Sequence, residues 1–239
     1  MLVDKKYVPR HEKGFIICHW LNAFSFLMLF LTALPLYMDT FHFLYDIFGA
    51  HTLQIMHRVF AVIFIATPLV GMFIARKGFV TLAKEVFSFD KDDMTFMQKF
   101  PPELIGVHPS GMPKQTFYNG GEKMNISLQA VIWLLLVATG LAIWIGNDYL
   151  SKEVMVWMVP LHSIAAGLGF AAAIGHIYLA ASVNPDSMRG MQKGNIHAKY
   201  ANAHHGKWID ELIAKGEVTR EEINQAVGLN ETKSSQKIS

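Results

Sequence analysis

Residues 155–183 read MVWMVPLHSIAAGLGFAAAIGHIYLAASV, an unbroken run without Asp, Glu, Lys or Arg that carries two histidines, His162 and His176. A helix crosses the hydrocarbon core of a bilayer in about 20 residues, so this run is long enough to span. An ionisable side chain at that depth is costly and marks function. The two histidines are fourteen positions apart. In an α-helix that spacing returns to nearly the same face, off by about 40°, with an axial rise of about 21 Å. One helix therefore offers two imidazoles to a bundle interior, one near each membrane surface.

Three further apolar runs have spanning length. The expected fold is all-α, an integral membrane four-helix bundle with helices at about 15–38, 52–75, 126–145 and 155–183. The bundle occupies residues 15–183, between an N-terminal tail of residues 1–14 and a C-terminal tail of residues 184–239. Pro35 and Pro68 are tolerable inside it, because neighbouring helices can satisfy the backbone groups they free. Composition agrees: the 239 residues are 52% hydrophobic and 17% charged, with mean hydropathy +0.27, whereas a soluble domain is about a quarter charged. A net charge of +2 gives no footprint for nucleic acid. Residues 1–14 are polar, and the run after them exceeds signal-peptide length without a small-residue cleavage site, so no cleavable leader is expected.

The loops alternate in charge. Lys5, Lys6, Arg10 and Lys13 precede the first helix; Arg76, Lys77, Lys84, Lys91, Lys99, Lys114 and Lys123 fill the second loop; Arg189, Lys193, Lys199 and Lys207 follow the fourth helix. The first loop has Asp39 and Asp46 and no Lys or Arg, and the third has Lys152 beside Asp148 and Glu153. The positive-inside rule puts both termini and the second loop in the cytoplasm. Residues 40–50, TFHFLYDIFGA, are apolar but too short to span, and read as an interfacial segment on the outer face. In the polar stretch after residue 206, Thr219 and Glu222 have capping-box spacing for a short helix.

Four of the eleven histidines lie inside the spans: His19, His57, His162 and His176. His19 and His176 fall near the cytoplasmic boundary, His57 and His162 near the outer one. The four sort into two pairs at two depths, each pair drawn from two helices. That pattern suits the axial ligands of two stacked b-type haems, since bis-histidine iron has no open site and favours electron transfer. The single cysteine, Cys18, and the lack of a C-x-x-C-H motif exclude covalent haem attachment and an iron–sulfur centre in this chain. Gly140, Gly167, Gly169 and Gly175 leave room for close approach. Arg58 either neutralises a haem propionate or anchors the helix at the interface. The competing reading makes the chain a non-redox anchor whose histidines only hydrogen-bond between helices.

The motifs C-H-W at 18–20, I-M-H at 55–57, Y-N-G-G-E-K at 118–123, L-H-S-I-A-A-G at 161–167, G-H-I-Y at 175–178, M-R-G-M-Q-K-G at 188–194 and A-H-H-G-K-W at 203–208 together resemble the cytochrome b (gamma) subunits of respiratory membrane-bound formate dehydrogenases. That group lies within a broader family of di-haem cytochrome b subunits that serves nickel–iron hydrogenases and thiosulfate reductases. The resemblance spans about residues 8–210. It implies an outer haem on His57 and His162 and an inner haem on His19 and His176. It implies a quinone site, for menaquinone or another quinone, at Asn119, Gly120, Gly121 and His176. It also implies an iron–sulfur partner at the outer face and a catalytic subunit, with molybdenum or tungsten pterin if the complex oxidises formate. The chain would lie in a bacterial or archaeal cytoplasmic membrane and pass electrons from the iron–sulfur subunit to quinone, or in reverse. It has no ligand set of its own for oxidising formate. Asn119-Gly120-Gly121 also reads as a turn, and Glu122 stands where the family pattern has a neutral amide. Glu122 would be either a proton donor or acceptor for quinone, or a first-turn helix residue favoured by the macrodipole.

Overall fold

The computed structural model describes residues 1–107 and 109–229; His108 and the last ten residues of the expected C-terminal tail lie outside them. The elements in chain order are β1 (Tyr7–Pro9), α1 (Lys13–Ala33), α2 (Phe43–Phe48), α3 (Ala50–Ile74), α4 (Arg76–Val86), α5 (Lys91–Lys99), α6 (Gly120–Ile145), α7 (Lys152–Tyr178), α8 (Pro185–Lys193), β2 (Asn195–His197), α9 (Ala198–His204), α10 (Gly206–Ala214) and α11 (Arg220–Val227). Among the described residues, α1 with its 3-10 extension, α3, α6 and α7 with its π extension are long and apolar enough to cross a membrane. The chain divides into two units, one of residues 13–79 and 128–174, the other of residues 1–12, 80–127 and 175 onward.

The first unit is the apolar bundle. Phe64 of α3, Ile132 and Leu136 of α6 and Ala165 of α7 form its buried centre, with Phe26 and Leu29 of α1 packed against them. Large apolar side chains face outward, including Phe24, Val62, Leu134 and Leu168, as a lipid-facing surface requires. Pro68 lies inside α3 and cannot donate to the carbonyl four residues back, that of Phe64. Two side chains of other helices donate to that oxygen instead, Asn22 Nδ2 at 3.1 Å and Trp133 Nε1 at 3.2 Å. The freed carbonyl is thereby satisfied without water.

Helix ends depart from the sequence expectation for local reasons. α1 stops at Ala33 and passes into a 3-10 turn, Leu34–Leu36, because Pro35 cannot continue the ladder. α6 begins at Gly120, earlier than the hydropathy edge near residue 126. Asn119 Oδ1 accepts from Glu122 N–H at 2.8 Å, and Glu122 Oε2 accepts from Asn119 N–H at 2.9 Å. That reciprocal capping box offsets the polarity of the first turn. α7 is followed by a π turn, Leu179–Val183. The interfacial segment contains α2, with Phe43, Ile47 and Phe48 exposed.

The second unit folds what reads as loops and a polar tail. β1 pairs antiparallel with β2, Tyr7 opposite His197 and Pro9 opposite Asn195. Val8, Ile196, Ala198, Ala201, Trp208, Ile209, Leu212, Val218 and Ile223 make one buried core. The capping box of Thr219 and Glu222 opens α11 as its spacing predicts. Gly120 is required by packing: a Cβ there would lie 2.5 Å from the Asp93 carbonyl oxygen.

His205 is fully buried beside this core, with Nδ1 2.9 Å from the Thr116 carbonyl. Burial, reinforced by the Arg10 cation, lowers its pKa from 6.5 to about 4. The folded chain therefore keeps His205 neutral where the unfolded chain takes up a proton, so stability falls as pH drops from 6.5 towards 4 and levels off below. Thermal unfolding in detergent at pH 7 and pH 5 is expected to show this loss, and a His205→Asn chain is expected to lose less between the two pH values.

Candidate functional site

Within the bundle unit, α3 and α7 bring His57 and His162 together, with ring centroids 6.5 Å apart and ring planes at 64°. Two imidazoles bound to opposite sides of one metal through bonds of about 2 Å have centroids roughly 6.3–6.5 Å apart. The spacing found is thus the spacing one iron between them would need.

Each ring is held by a threonine. Thr32 Oγ1 of α1 is 2.9 Å from His57 Nδ1, and Thr139 Oγ1 of α6 is 2.9 Å from His162 Nδ1. A threonine hydroxyl has one proton. Thr32 gives its proton to the Met28 or Leu29 carbonyl, and Thr139 to the Leu135 or Leu136 carbonyl. Each can then only accept from the imidazole, which fixes the proton on Nδ1 and leaves the Nε2 lone pair available to a metal. Gly140, beside Thr139, makes room for the ring: a Cβ there would sit 3.2 Å from His162 Cε1. A two-histidine set does not complete the coordination of a protein-held metal, and it is the set a macrocycle with four in-plane nitrogens leaves to be filled. Arg58, next to His57, lies over the Trp144 ring at 5.4 Å.

The remaining sequence-selected residues fall as follows. His19 lies on α1 in the bundle unit, and His176 lies on α7 fourteen residues after His162 without a break in the helix. Asn125 Nδ2 of α6 is 3.3 Å from His176 Nδ1. Asn119 is buried as the N-cap of α6, and Gly120 and Gly121 are its first two residues, also buried. The Gly120 amide donates to Gln115 Oε1 at 2.8 Å.

Glu122 does more than cap. It pairs with Arg10 at 3.0 Å, and the Arg10 side chain is 1% exposed. Arg10 Nη2 also donates to the Phe117 carbonyl at 2.7 Å, and the guanidinium lies 5.2 Å from the Phe117 ring centroid. Lys123, also 1% exposed, binds Asp93 at 2.8 Å and Glu85 at 3.6 Å. The sequence alone does not single out Thr32, Thr139 or Asn125, and Arg10 counts in it only as a charge before the first helix. Their signal was there, as polar residues within or flanking apolar runs, but their partners are distant in the chain.

A family model described as prokaryotic cytochrome b561 matches residues 10–194. The chain is 28% identical over 226 residues to the cytochrome b556(Fdn) subunit of the nitrate-inducible formate dehydrogenase of Escherichia coli K12, covering 92% of this chain and 95% of that one. It is 26% identical over 218 residues to the formate dehydrogenase cytochrome b556 subunit of Haemophilus influenzae, covering 87% and 85%. It is 25% identical over 201 residues to the cytochrome b556(fdo) subunit of Escherichia coli K12, covering 82% and 89%.

The Arg10–Glu122 pair makes a prediction. Glu122→Gln keeps the capping geometry but strands a buried guanidinium, a change that costs about 3 kcal/mol, the low end for a buried pair because Glu122 is 24% exposed. Urea unfolding of the detergent-solubilised chain is expected to show that loss, and Arg10→Gln in the same chain is expected to recover part of it.

Proposed function

The chain belongs to the prokaryotic cytochrome b561 family, and on that premise we propose that it is the haem-bearing membrane subunit of a formate dehydrogenase complex. The observation that carries the reading is the His57–His162 pair, spaced for one iron and fixed by Thr32 and Thr139. These two histidines hold the outer of two haems b, and His19 and His176 hold the inner one. The unbroken α7 supports the second assignment, because it offers His176 about 21 Å along the axis from His162. When bound, the two haems supply reversible one-electron chemistry, suited to carrying electrons between an iron–sulfur partner on the outer face and a quinone such as menaquinone on the cytoplasmic side.

The chain's own residues bind and orient. Thr32 and Thr139 fix the imidazole tautomers. Arg58 pairs a haem propionate, since a guanidinium stacked on Trp144 still presents its in-plane N–H donors to a carboxylate. Asn119, Gly120, Gly121 and His176 form the quinone end, with Asn125 steadying the His176 ring. The exposed aromatic segment with α2 takes the iron–sulfur subunit, behind which stands a molybdenum or tungsten pterin subunit that acts on formate. The relatives are named as cytochrome subunits of formate dehydrogenases, which supports a partner that acts on formate. We place the chain in a prokaryotic cytoplasmic membrane with both termini in the cytoplasm. The joining of residues 1–12, 80–127 and the segment from 175 into one unit supports that topology, because these are the segments that charge assigns to one side.

A pyridine-haemochrome assay of the purified chain is expected to give two haems b per chain, and His57→Ala is expected to give one. A count of one in the unaltered chain would remove the stacked pair, and an absence of b-type bands would leave a non-redox anchor. Thr139→Val is expected to keep the fold while weakening outer-haem retention by about 10- to 100-fold.

A further inference from the structure

Among the described residues, three buried side-chain atoms have no hydrogen-bond partner from the chain: Arg10 Nε, Tyr200 Oη and His205 Nε2. All three belong to the second unit, and they are neighbours. Arg10 Nη2 donates to the Phe117 carbonyl at 2.7 Å, and His205 Nδ1 is 2.9 Å from the carbonyl of the residue before it, Thr116. The two side chains are thus held at adjacent points of one segment. The Tyr200 and His205 ring centroids are 5.7 Å apart, and the Arg10 charge acts on the Tyr200 hydroxyl and on the His205 ring. Ser187 lies near the Tyr200 hydroxyl without completing a hydrogen bond to it. Its own hydroxyl is turned to Glu122 Oε1, at 3.4 Å.

Buried polar groups are normally satisfied, so three orphans in one place point to a shared partner from outside the chain. Their chemistry says what that partner is. Arg10 Nε carries a hydrogen and can only donate. His205 Nδ1 faces a carbonyl and so holds the ring proton, which leaves Nε2 of the neutral ring able only to accept. Burial beside Arg10 keeps that ring neutral. The Tyr200 hydroxyl can do either. Arg10 repels a cation, while the Nε2 lone pair and the Glu122 carboxylate paired with Arg10 repel an anion. A water molecule has two hydrogens and two acceptor positions, and matches all three atoms at once. Buried waters commonly make about three hydrogen bonds.

We propose that Arg10 Nε, Tyr200 Oη and His205 Nε2 form a binding site for one internal water molecule, which accepts from Arg10 and Tyr200 and donates to His205. The water ties the N-terminal segment, α9 and the residue that opens α10 to one point, beside the Arg10–Glu122 pair. The site is independent of the haem and quinone assignments. A cryo-electron-microscopy map of the full chain in lipid nanodiscs at pH 7, at a resolution that shows ordered water, tests it. One compact peak is expected about 2.7–3.2 Å from each of the three atoms. Side chains bonded to one another or to other groups, with no peak between them, would overturn the site. A peak with the contacts of an ion or of a larger molecule would do the same. Tyr200→Phe removes one hydroxyl and keeps the ring, and the peak is expected to fall at least twofold in height against other buried waters. An unchanged peak would remove Tyr200 from the site and overturn the three-contact geometry. Should that variant not fold, nitrogen-15 shifts of the unaltered, histidine-labelled chain decide the matter. His205 is expected to show a proton on Nδ1 and a hydrogen-bonded Nε2, and either a free Nε2 lone pair or a proton on Nε2 would overturn the proposal.

Discussion

An imidazole inside hydrocarbon must have both of its nitrogens engaged, and the bundle is arranged around meeting that demand. Water is not at hand, so the polar partner has to come from a neighbouring helix. Threonine is suited to this task. Its hydroxyl proton is absorbed by a carbonyl of its own helix, which leaves an acceptor and nothing else to offer the ring. Thr32 and Thr139 do this from opposite sides for His57 and His162. Four helices are then committed to one arrangement, since α1 and α6 supply the threonines while α3 and α7 supply the rings. Sliding any one of them by a single residue would break a hydrogen bond that nothing in the bilayer replaces. The same economy governs Pro68, whose freed Phe64 carbonyl is met by Asn22 and Trp133 from the two threonine-bearing helices.

The bundle was legible in the sequence because lipid reduces the problem to length and hydropathy. Four long runs with histidines at matching depths left little else to fit. The pairing of His57 with His162 followed from depth alone. What depth could not reveal was the tautomer, because Thr32 and Thr139 look like ordinary polar residues until the helices are set side by side. The second unit was far less legible. Its buried residues are spread over a polar stretch, so Trp208, Ile209 and Leu212 read as tail. Asn119-x-x-Glu122 has the same box spacing as Thr219-x-x-Glu222, but the adjacent glycines drew the reading to a turn. The ion pairs of Arg10 and Lys123 join residues from separate parts of the chain, and only folding brings them together.

Those ion pairs sit at the first turn of α6, where a spanning helix gives way to the folded unit. A lysine buried between two carboxylates and an arginine buried against a third are poor sources of raw stability, since desolvation consumes most of the attraction. They are strong sources of register. Each charge tolerates one geometry, so the start of α6 is pinned at Gly120. Glu122 serves as cap and counter-ion at once, which accounts for an acid at this position by structure alone.

The short β1–β2 ribbon has a consequence for the order of synthesis. Tyr7–Pro9 leaves the ribosome well before its partner Asn195–His197, which follows roughly 190 residues later. At about 5–20 residues per second, the first strand waits roughly 10–40 s, while all four long helices are made, before its mate exists. Val8, later wholly buried, and Arg10, later sealed in its ion pair, spend that interval in the open. Closure of the ribbon therefore has to wait until the fourth long helix has been made.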